Sequence, residues 1–279
     1  MRSQALKAAV LSVLLLLVML GAWHLATLPK EPAAGAGANS EYAALMGKGA
    51  EKATGFPAPA KVGAAFVAYL SDPFYDRGPN DKGVGVQLAH SLGRVALGFA
   101  LAVVVALPLG FAIGTSPLLH RALDPFIQVL KPISPLAWMP LALYTLKDSG
   151  ISGVFVIFIC SVWPMLINTA FGVASVRREW INVARTLEVR PLRKALLVIL
   201  PAAAPTIVTG MRISMGIAWL VIVAAEMLVG GTGIGYFVWN EWNNLALPNV
   251  IFAITVIGVV GMLLDRLFGV LQAAVTYRE

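Results

Sequence analysis

Six apolar runs, each about 20 residues or longer, constrain this fold more than any other feature of the chain. A bilayer core of about 30 Å is crossed by about 20 apolar helical residues. In lipid, each backbone polar group must be satisfied within its own segment, so every run is predicted to be a helix. The fold class is therefore all-α: a polytopic membrane protein with about six transmembrane helices. The runs lie near 8–27, 88–115, 123–146, 153–176, 202–229 and 250–270.

The composition supports this class and excludes a soluble basic domain. Hydrophobic residues make up 58% of the chain and charged residues 13%, whereas about a quarter of the residues in a soluble domain are charged. The net charge of +7 does not indicate a nucleic-acid partner, because no basic face is interleaved with aromatic residues. Membrane topology explains the charge better.

The distribution of Lys and Arg sets the predicted orientation. Residues 177–194 contain six of them, and residues 230–249 contain none. The positive-inside rule places the first segment in the cytoplasm and the second outside. With six spans, both termini are then cytoplasmic, and the protein is a multi-pass membrane protein.

Three parts are predicted along the chain. Residues 1–27 form an N-terminal transmembrane helix, and 28–86 a periplasmic linker with an interfacial helix. The linker is rich in Ala and Gly, and apolar residues then recur at helical spacing. Residues 87–272 form the membrane domain. The alternative is a signal peptide cleaved near the Ala- and Gly-rich 33–38, which would leave five spans. The length of the first apolar run favours an uncleaved helix.

Prolines interrupt the third apolar run, at Pro125, Pro132, Pro135 and Pro140. Each one removes a backbone donor and favours a kink. Broken helices in membranes face protein or a cavity, because their freed carbonyls need partners. Lys131 is therefore a candidate for the wall of a translocation pathway, and the alternative is that its ammonium group snorkels to the interface.

Two charged residues, Arg212 and Glu226, lie within the fifth apolar run. A charge in the centre of a span is costly unless it has a partner or water. Their separation of 14 positions corresponds to about 21 Å along a helix, so they cannot pair with each other. Each is predicted to have a partner elsewhere. Glu226 precedes the glycine cluster at 230–235, where a gate or docking role competes with a hydrogen-bonded helix end.

Nothing in the chain indicates catalysis, and no cofactor or metal is predicted. The histidines have no ligand spacing, and the single cysteine, Cys160, excludes an intrachain disulfide. The glycine cluster lacks the GxxxxGK[ST] spacing of a nucleotide-binding loop.

The charged segment 177–194 predicts a short amphipathic helix. Trp180, Val183 or Ala184, and Leu187 line one side at three- and four-residue spacing, and charged residues occupy the other sides. Pro191 marks the end of the segment, because the residue before a proline is driven out of helical geometry. Such a stripe, held between membrane spans, is suited to a groove on another protein.

This segment resembles the cytoplasmic signature of the permease subunits of bacterial ATP-binding-cassette (ABC) importers. Their EAA motif, with a Gly four residues after its second Ala and then I-x-L-P, aligns with residues 182–188 and 198–201. Asn182, Val183, Glu188 and Val198 depart from that pattern. The stretches NVARTLEV, 211–244 and 72–83 are similar to the nitrate-transport branch, and the resemblance covers about 55–271.

The resemblance implies a type I ABC importer transmembrane domain. Two permease copies, expected to be identical, would each dock a coupling helix into a separate cytoplasmic ATPase, and a periplasmic binding protein would deliver the substrate. The permease itself would not be an enzyme. Separately from the resemblance, the positive charges of Lys131 and Arg212 suggest the hypothesis that they ease the passage of an anion, and Glu226 is a candidate gate residue. The residues implied in ATPase coupling are Trp180, Asn182, Val183, Ala184, Arg185, Leu187, Glu188 and Pro201.

Two alternatives stay open. Related permeases share this core, so the cargo could instead be taurine or another alkanesulfonate, cyanate or bicarbonate. A stand-alone channel or secondary transporter would need no ATPase, and residues 177–194 would then be a solvated loop.

Overall fold

The computed structural model describes residues 2–28, 56–78 and 81–276. The regular structure of these residues is helical, apart from a single bridge between Asp76 and Lys82. The helices are α1 Arg2–Ala26, α2 Pro59–Ser71, α3 Val84–Thr115, α4 Pro117–Leu130, α5 Pro135–Leu146, α6 Ser149–Ala174, α7 Arg178–Thr186, α8 Pro191–Lys194, a π-helix Ala195–Ile199, α9 Leu200–Val229, α10 Ile234–Asn243 and α11 Leu247–Val275.

Five of the six predicted spans are confirmed as long apolar helices among the described residues. They are Leu6–Ala26, Val84–Thr115, Ser149–Ala174, Pro191–Val229 and Leu247–Val275.

The third apolar run is not one straight helix. It forms α4 and α5, which are bent by 92° at residues 131–134. Pro132 lies in this break, and Pro135 occupies the first turn of α5, where a missing N–H does little harm. The prolines therefore predicted the interruption correctly, but the pair counts as a sixth span only if both halves together cross the membrane.

The chain divides into two compact units. One contains residues 1–71 and 241–252, and the other contains 72–240 and 253–279. In the first unit, the Trp23 indole donates to the Pro57 carbonyl at 3.0 Å, and Phe252 packs against the rings of Phe66 and Tyr69. The predicted helix after Pro59 is present as α2, and the predicted Ala- and Gly-rich linker lies outside the described residues.

Helix α6 is the centre of the second unit, because it packs along both α3 and α9. Small residues permit the close approach of α3: a Cβ atom at Gly110 would lie 2.7 Å from Cβ of Thr169. Small residues at helix contacts are typical of membrane proteins, where packing replaces hydrophobic burial as the attraction between helices. The side chains of Ile157, Met165 and Leu166 fill this contact and are fully buried.

Candidate functional site

Helix α7 presents a row of apolar side chains to the outside of its unit. Trp180 is 47% exposed, Val183 59% and Leu187, the residue that ends the helix, 69%. Exposed apolar residues in single positions are common, but these three lie at helical spacing and form a continuous apolar stripe on one short helix. Val183 rather than Ala184 is therefore the middle residue of the exposed stripe.

The opposite face of α7 anchors the helix to the membrane domain. Ala184 is buried, and Ile181 packs against a cluster formed by Val173, Ile199 and their neighbours. Because its methyl group faces inward, Ala184 holds α7 in place and lies away from the exposed stripe. The remaining predicted coupling residues of the segment, Asn182 and Arg185, are exposed.

A left-handed residue ends α7. Glu188 has φ of 49°, the conformation in which glycine is favoured. The Val189 amide donates to the Ala184 carbonyl at 3.0 Å, and the Glu188 amide to the Arg185 carbonyl at 3.0 Å. These two bonds form a Schellman cap, whose left-handed position is usually glycine. The resemblance placed a glycine at this same residue, so the backbone shape of the motif is kept although its side chain is not.

A π-helix joins the α7 region to the long helix α9. It covers Ala195–Ile199, and Pro201 follows it within the continuous helical stretch Pro191–Val229, where its missing N–H removes one bond from the helix. π-turns widen the helix locally and are common at functional sites. This connection joins the end of the α7 region directly to the start of a membrane span.

At the other end of α9, Glu226 is the centre of a buried polar network. Its side chain is 4% exposed, and Arg94 Nη1 on α3 donates to the carboxylate at 2.7 Å. The Ser91 hydroxyl lies 2.8 and 2.9 Å from its two oxygens, and the Gly235 amide donates to it at 3.1 Å. The sequence predicted that Glu226 needs a partner elsewhere, and this is confirmed.

The same α3 residues also bind the glycine-rich loop after α9. The Gly233 amide donates to the Gln87 side-chain oxygen at 2.6 Å, and the Ile234 amide to the Ser91 hydroxyl at 2.9 Å. Arg94 donates to the Thr232 carbonyl at 2.7 Å. The network therefore fixes the loop 230–235 to α3 through both side-chain and backbone groups.

Glycine is required where this loop passes the carboxylate. A Cβ atom on Gly233 would collide with the Glu226 carboxylate, and one on Gly235 with the Val223 carbonyl. The sequence analysis identified Glu226 and the glycines but missed Gln87, Ser91 and Arg94. Their spacing of four and three residues, which places them on one face of a helix, is the signal that could have found them.

Arg212 has a carboxylate partner on α11. Its Nε and Nη2 atoms donate to the two oxygens of Asp265, both at 2.6 Å, in a bidentate pair. Its Nη1 atom also donates to Gln272 at 3.3 Å, and Gln272 donates to Thr209 at 2.9 Å. The predicted need for a partner is thus confirmed here too. These hydrogen bonds tie α9 to α11, and the Arg212–Asp265 pair is neutral overall.

Lys131 lies in the break between α4 and α5 and lines two cavities. The larger has a volume of about 460 Å³ and the smaller about 300 Å³. The structure does not bring Lys131 together with Arg212 or Glu226, so the three predicted pathway residues occupy three separate places in the unit.

The helices define a polytopic membrane protein with an exposed amphipathic helix between two spans, and comparisons with known proteins identify its family. Residues 99–277 match the family described as binding-protein-dependent transport system inner membrane component. The chain belongs to this family of ABC importer permeases.

Relatives with curated names share large parts of the chain. The nitrate import permease protein NrtB of Synechocystis sp. is 44% identical over 223 residues, 80% of this chain and 81% of the relative. NrtB of Leptolyngbya laminosa is 47% identical over 210 residues, 75% of each chain. The bicarbonate transport system permease protein CmpB of Synechocystis sp. is 46% identical over 204 residues, 73% of each chain.

The fold is similar to that of solved ABC importers. An inward-facing structure of the MetNI methionine ABC transporter gives a TM-score of 0.60 at 16% identity and covers 68% of this chain and 95% of its own. At that identity the likeness concerns the fold alone, which is the predicted type I importer transmembrane domain.

Proposed function

We propose that this protein is the permease subunit of an ATP-driven nitrate importer. The sequence identity of 44% to a nitrate import permease over 80% of this chain carries the substrate assignment. The exposed stripe of α7 supports the mechanism, because it offers a separate protein a surface on which to act. The permease breaks no covalent bond, and the free energy of transport comes from its ATPase.

The proposed coupling site is the exposed face of α7. Trp180, Val183 and Leu187 enter a groove on a cytoplasmic ATPase, with Asn182, Arg185 and Glu188 at the rim and Ala184 holding the helix from behind. Closure of two ATPases on ATP binding pulls two docked helices together. The π-helix and Pro201 transmit that movement to α9, and the spans rock between inward-facing and outward-facing states.

The proposed assembly contains two copies of this permease, two ATPase subunits and a substrate-binding protein. It lies in the bacterial inner membrane with both termini and α7 in the cytoplasm, as the distribution of Lys and Arg favours. Residues 1–27 span the membrane once, 28–86 lie outside as a linker and interfacial helix, and 87–272 form the transport domain.

The Glu226 network is proposed to hold the outer end of that transport domain. By fixing the loop 230–235 to α3, it keeps this end of α9 rigid while the other end moves with α7. In this role Glu226 stabilises an outer gate by joining α9 to α3. The Arg212–Asp265 pair similarly joins α9 to α11.

Bicarbonate is the second candidate substrate. The relative CmpB, a bicarbonate transport permease, is 46% identical to this chain over 204 residues. Nitrate and bicarbonate are both small planar oxyanions, so a common pathway can serve either.

Uptake measurements separate the two substrates. The permease is expressed with its own ATPase and binding protein in cells that lack nitrate and bicarbonate uptake, and the import of each labelled anion is followed. We expect ATP-dependent nitrate import. Bicarbonate import without nitrate import would reassign the substrate, and import of either anion without the ATPase would contradict the importer mechanism.

A further inference from the structure

The break between α4 and α5 contains a cavity whose lining is selective for charge. We propose that this smaller cavity, of about 300 Å³, is a resting site for a small inorganic oxyanion, with the Lys131 ammonium group as its counter-charge. The inference rests on the proposed function and deepens it, because it says where within the membrane domain the anion binds.

The lining of the cavity combines a few hydrogen-bond donors with apolar side chains. Among the described residues that border it, Lys131 is the only charged one and none carries a carboxylate. Ser134 precedes α5 without capping it through its side chain, so its hydroxyl is available to a ligand. Trp138 and Trp163 each contribute an indole, whose N–H group can donate and cannot accept. Such a lining offers an anion a positive charge and several donors, and it offers a cation no carboxylate.

The volume of the cavity suits a small ion with water. A water molecule occupies about 30 Å³ in the liquid, so the cavity can hold an oxyanion together with part of its hydration shell. An ion in transit must bind well enough to enter and weakly enough to leave. One ammonium group in a hydrated cavity satisfies both conditions better than a dehydrated cage of several cations.

The position of the cavity places the site in the middle of the bundle. Cys160 and Pro164, which border it, lie about 15 to 22 Å from the two ends of α6 at 1.5 Å per residue. The larger cavity also borders Lys131 and extends to Gly114 and Ala174, near the ends of α3 and α6. Together the two cavities mark a route from the middle of the bundle to the end that carries α7.

The larger cavity is a poorer site for an anion. It is bordered by the Asp124 carboxylate, which accepts a hydrogen bond from Gln128 at 3.4 Å, and by His120. A carboxylate repels an anion and offsets the attraction of Lys131 at that side. The charge pattern therefore favours rest in the smaller cavity and passage through the larger one.

Cys160 is a natural reporter for this site, because it borders the smaller cavity and is the only cysteine of the chain. The complete transporter, in vesicles and with a cysteine-free ATPase and binding protein, is treated with two methanethiosulfonate reagents. One is an anionic sulfonate and the other a cationic trimethylammonium compound. The measured quantity is the ratio of their rates of reaction with Cys160.

Lys131→Gln is expected to lower the anionic-to-cationic rate ratio about tenfold, because the field that concentrates anions is lost. Lys131→Arg keeps the charge and should keep the ratio. Lys147→Gln is the matched control, since this lysine follows the far end of α5 and borders neither cavity. Nitrate should slow the anionic reaction in the wild type, beyond the effect of an equal concentration of a bulky organic anion, and should have no such effect in Lys131→Gln.

Three results would overturn the site: an unchanged ratio in Lys131→Gln, no specific protection by nitrate in the wild type, or a Cys160 that reacts with neither reagent. The protection arm uses the native sequence, so it remains decisive if Lys131→Gln fails to fold. Labelled nitrate import by the same vesicles tests the proposed function separately. Protection without import would leave the anion site standing and remove the substrate assignment, whereas import without protection would remove the site alone.

Discussion

The two ends of α9 differ in which groups are buried: a charged group is buried near one end, and an apolar group is exposed beyond the other. Near Val229, the Glu226 carboxylate is 4% exposed, and its partners Ser91, Arg94 and Gly235 belong to the same chain. Beyond the start of α9, the apolar Leu187 side chain is 69% exposed. The first end completes its interactions within the chain, and the second offers an apolar surface to another molecule.

This difference suggests that the Glu226 end gives the membrane domain rigidity, whereas the α7 end is suited to coupling with a partner. A buried charge that is fully hydrogen-bonded resists movement, because losing one partner exposes the desolvation cost of the other. An apolar stripe on a short surface helix gains free energy only when a partner covers it. On the proposed mechanism, the permease is braced at the Glu226 end and driven from the α7 end, and substitutions at each end test this difference.

Leu187→Asp should have the largest effect on transport. A carboxylate in the centre of an apolar contact loses the burial of the leucine and must itself be desolvated, so uptake should fall by more than about tenfold. Insertion should be unchanged, because the side chain is exposed and contributes little to the fold. Leu118→Asp is the matched control: it is 78% exposed, follows the end of α3 and lies outside α7. Equal uptake by the two variants would contradict a special role of the α7 stripe in transport.

Arg94→Gln should have the largest effect on stability. It leaves Glu226 buried without its cation, and removing one partner of a buried pair costs about 3–5 kcal/mol. The double variant Arg94→Gln with Glu226→Gln should recover part of this loss, as thermal unfolding in detergent will measure. Lys82→Gln removes one partner of the more exposed pair with Asp76, 3.6 Å apart, and should cost less than about 1 kcal/mol. A similar loss in both single variants would show that the Glu226 end is not specially braced.

Gly235→Ala should disturb the same end by a different route. The added methyl group collides with the Val223 carbonyl, and such overpacking costs about 1–3 kcal/mol. Gly216→Ala, within α9, meets no atom within 4 Å and should be neutral or slightly stabilising. Thermal unfolding of both variants, with import measured in parallel, checks this. If Gly235→Ala were as stable as Gly216→Ala, the close approach of loop and helix would be refuted.

Glu188→Gly should produce the smallest change. A left-handed backbone conformation costs a non-glycine residue about 1 kcal/mol, which glycine avoids, so α7 should be capped more firmly. Import should remain close to that of the wild type. Glu188→Asn separates the backbone effect from the loss of charge, because asparagine tolerates this conformation better than most residues. Protection of the Val189 amide from hydrogen exchange should rise most in the glycine variant, and a fall there would contradict the cap.

The sequence predicted those elements whose signals are local. The amphipathic spacing of Trp180, Val183 and Leu187 identified α7, and the prolines of the third run identified the break at Lys131. In contrast, whether Val183 or Ala184 faces outward depends on packing against Val173 and Ile199, which no local pattern shows. The angle between α4 and α5 is likewise set by tertiary contacts.

The partners of the two charges in α9 were beyond local reasoning. The need for partners followed from the cost of a charge in a span. Their identity did not, because Arg94 is 132 positions from Glu226 and Asp265 is 53 positions from Arg212. A search for polar residues at helical spacing in the other apolar runs would have proposed Gln87, Ser91 and Arg94 together.

The central claim is that the exposed face of α7 binds the ATPase, and cross-linking tests this claim most directly. Val183→Cys and Ala184→Cys are introduced separately with Cys160→Ser, and each is treated with a short cross-linker in the assembled transporter. Val183 is 59% exposed and its neighbour Ala184 only 4%. The account predicts a strong link to the ATPase from position 183 and little or none from position 184. Equal linkage from both positions, or a position 183 that never reaches the ATPase, would contradict it.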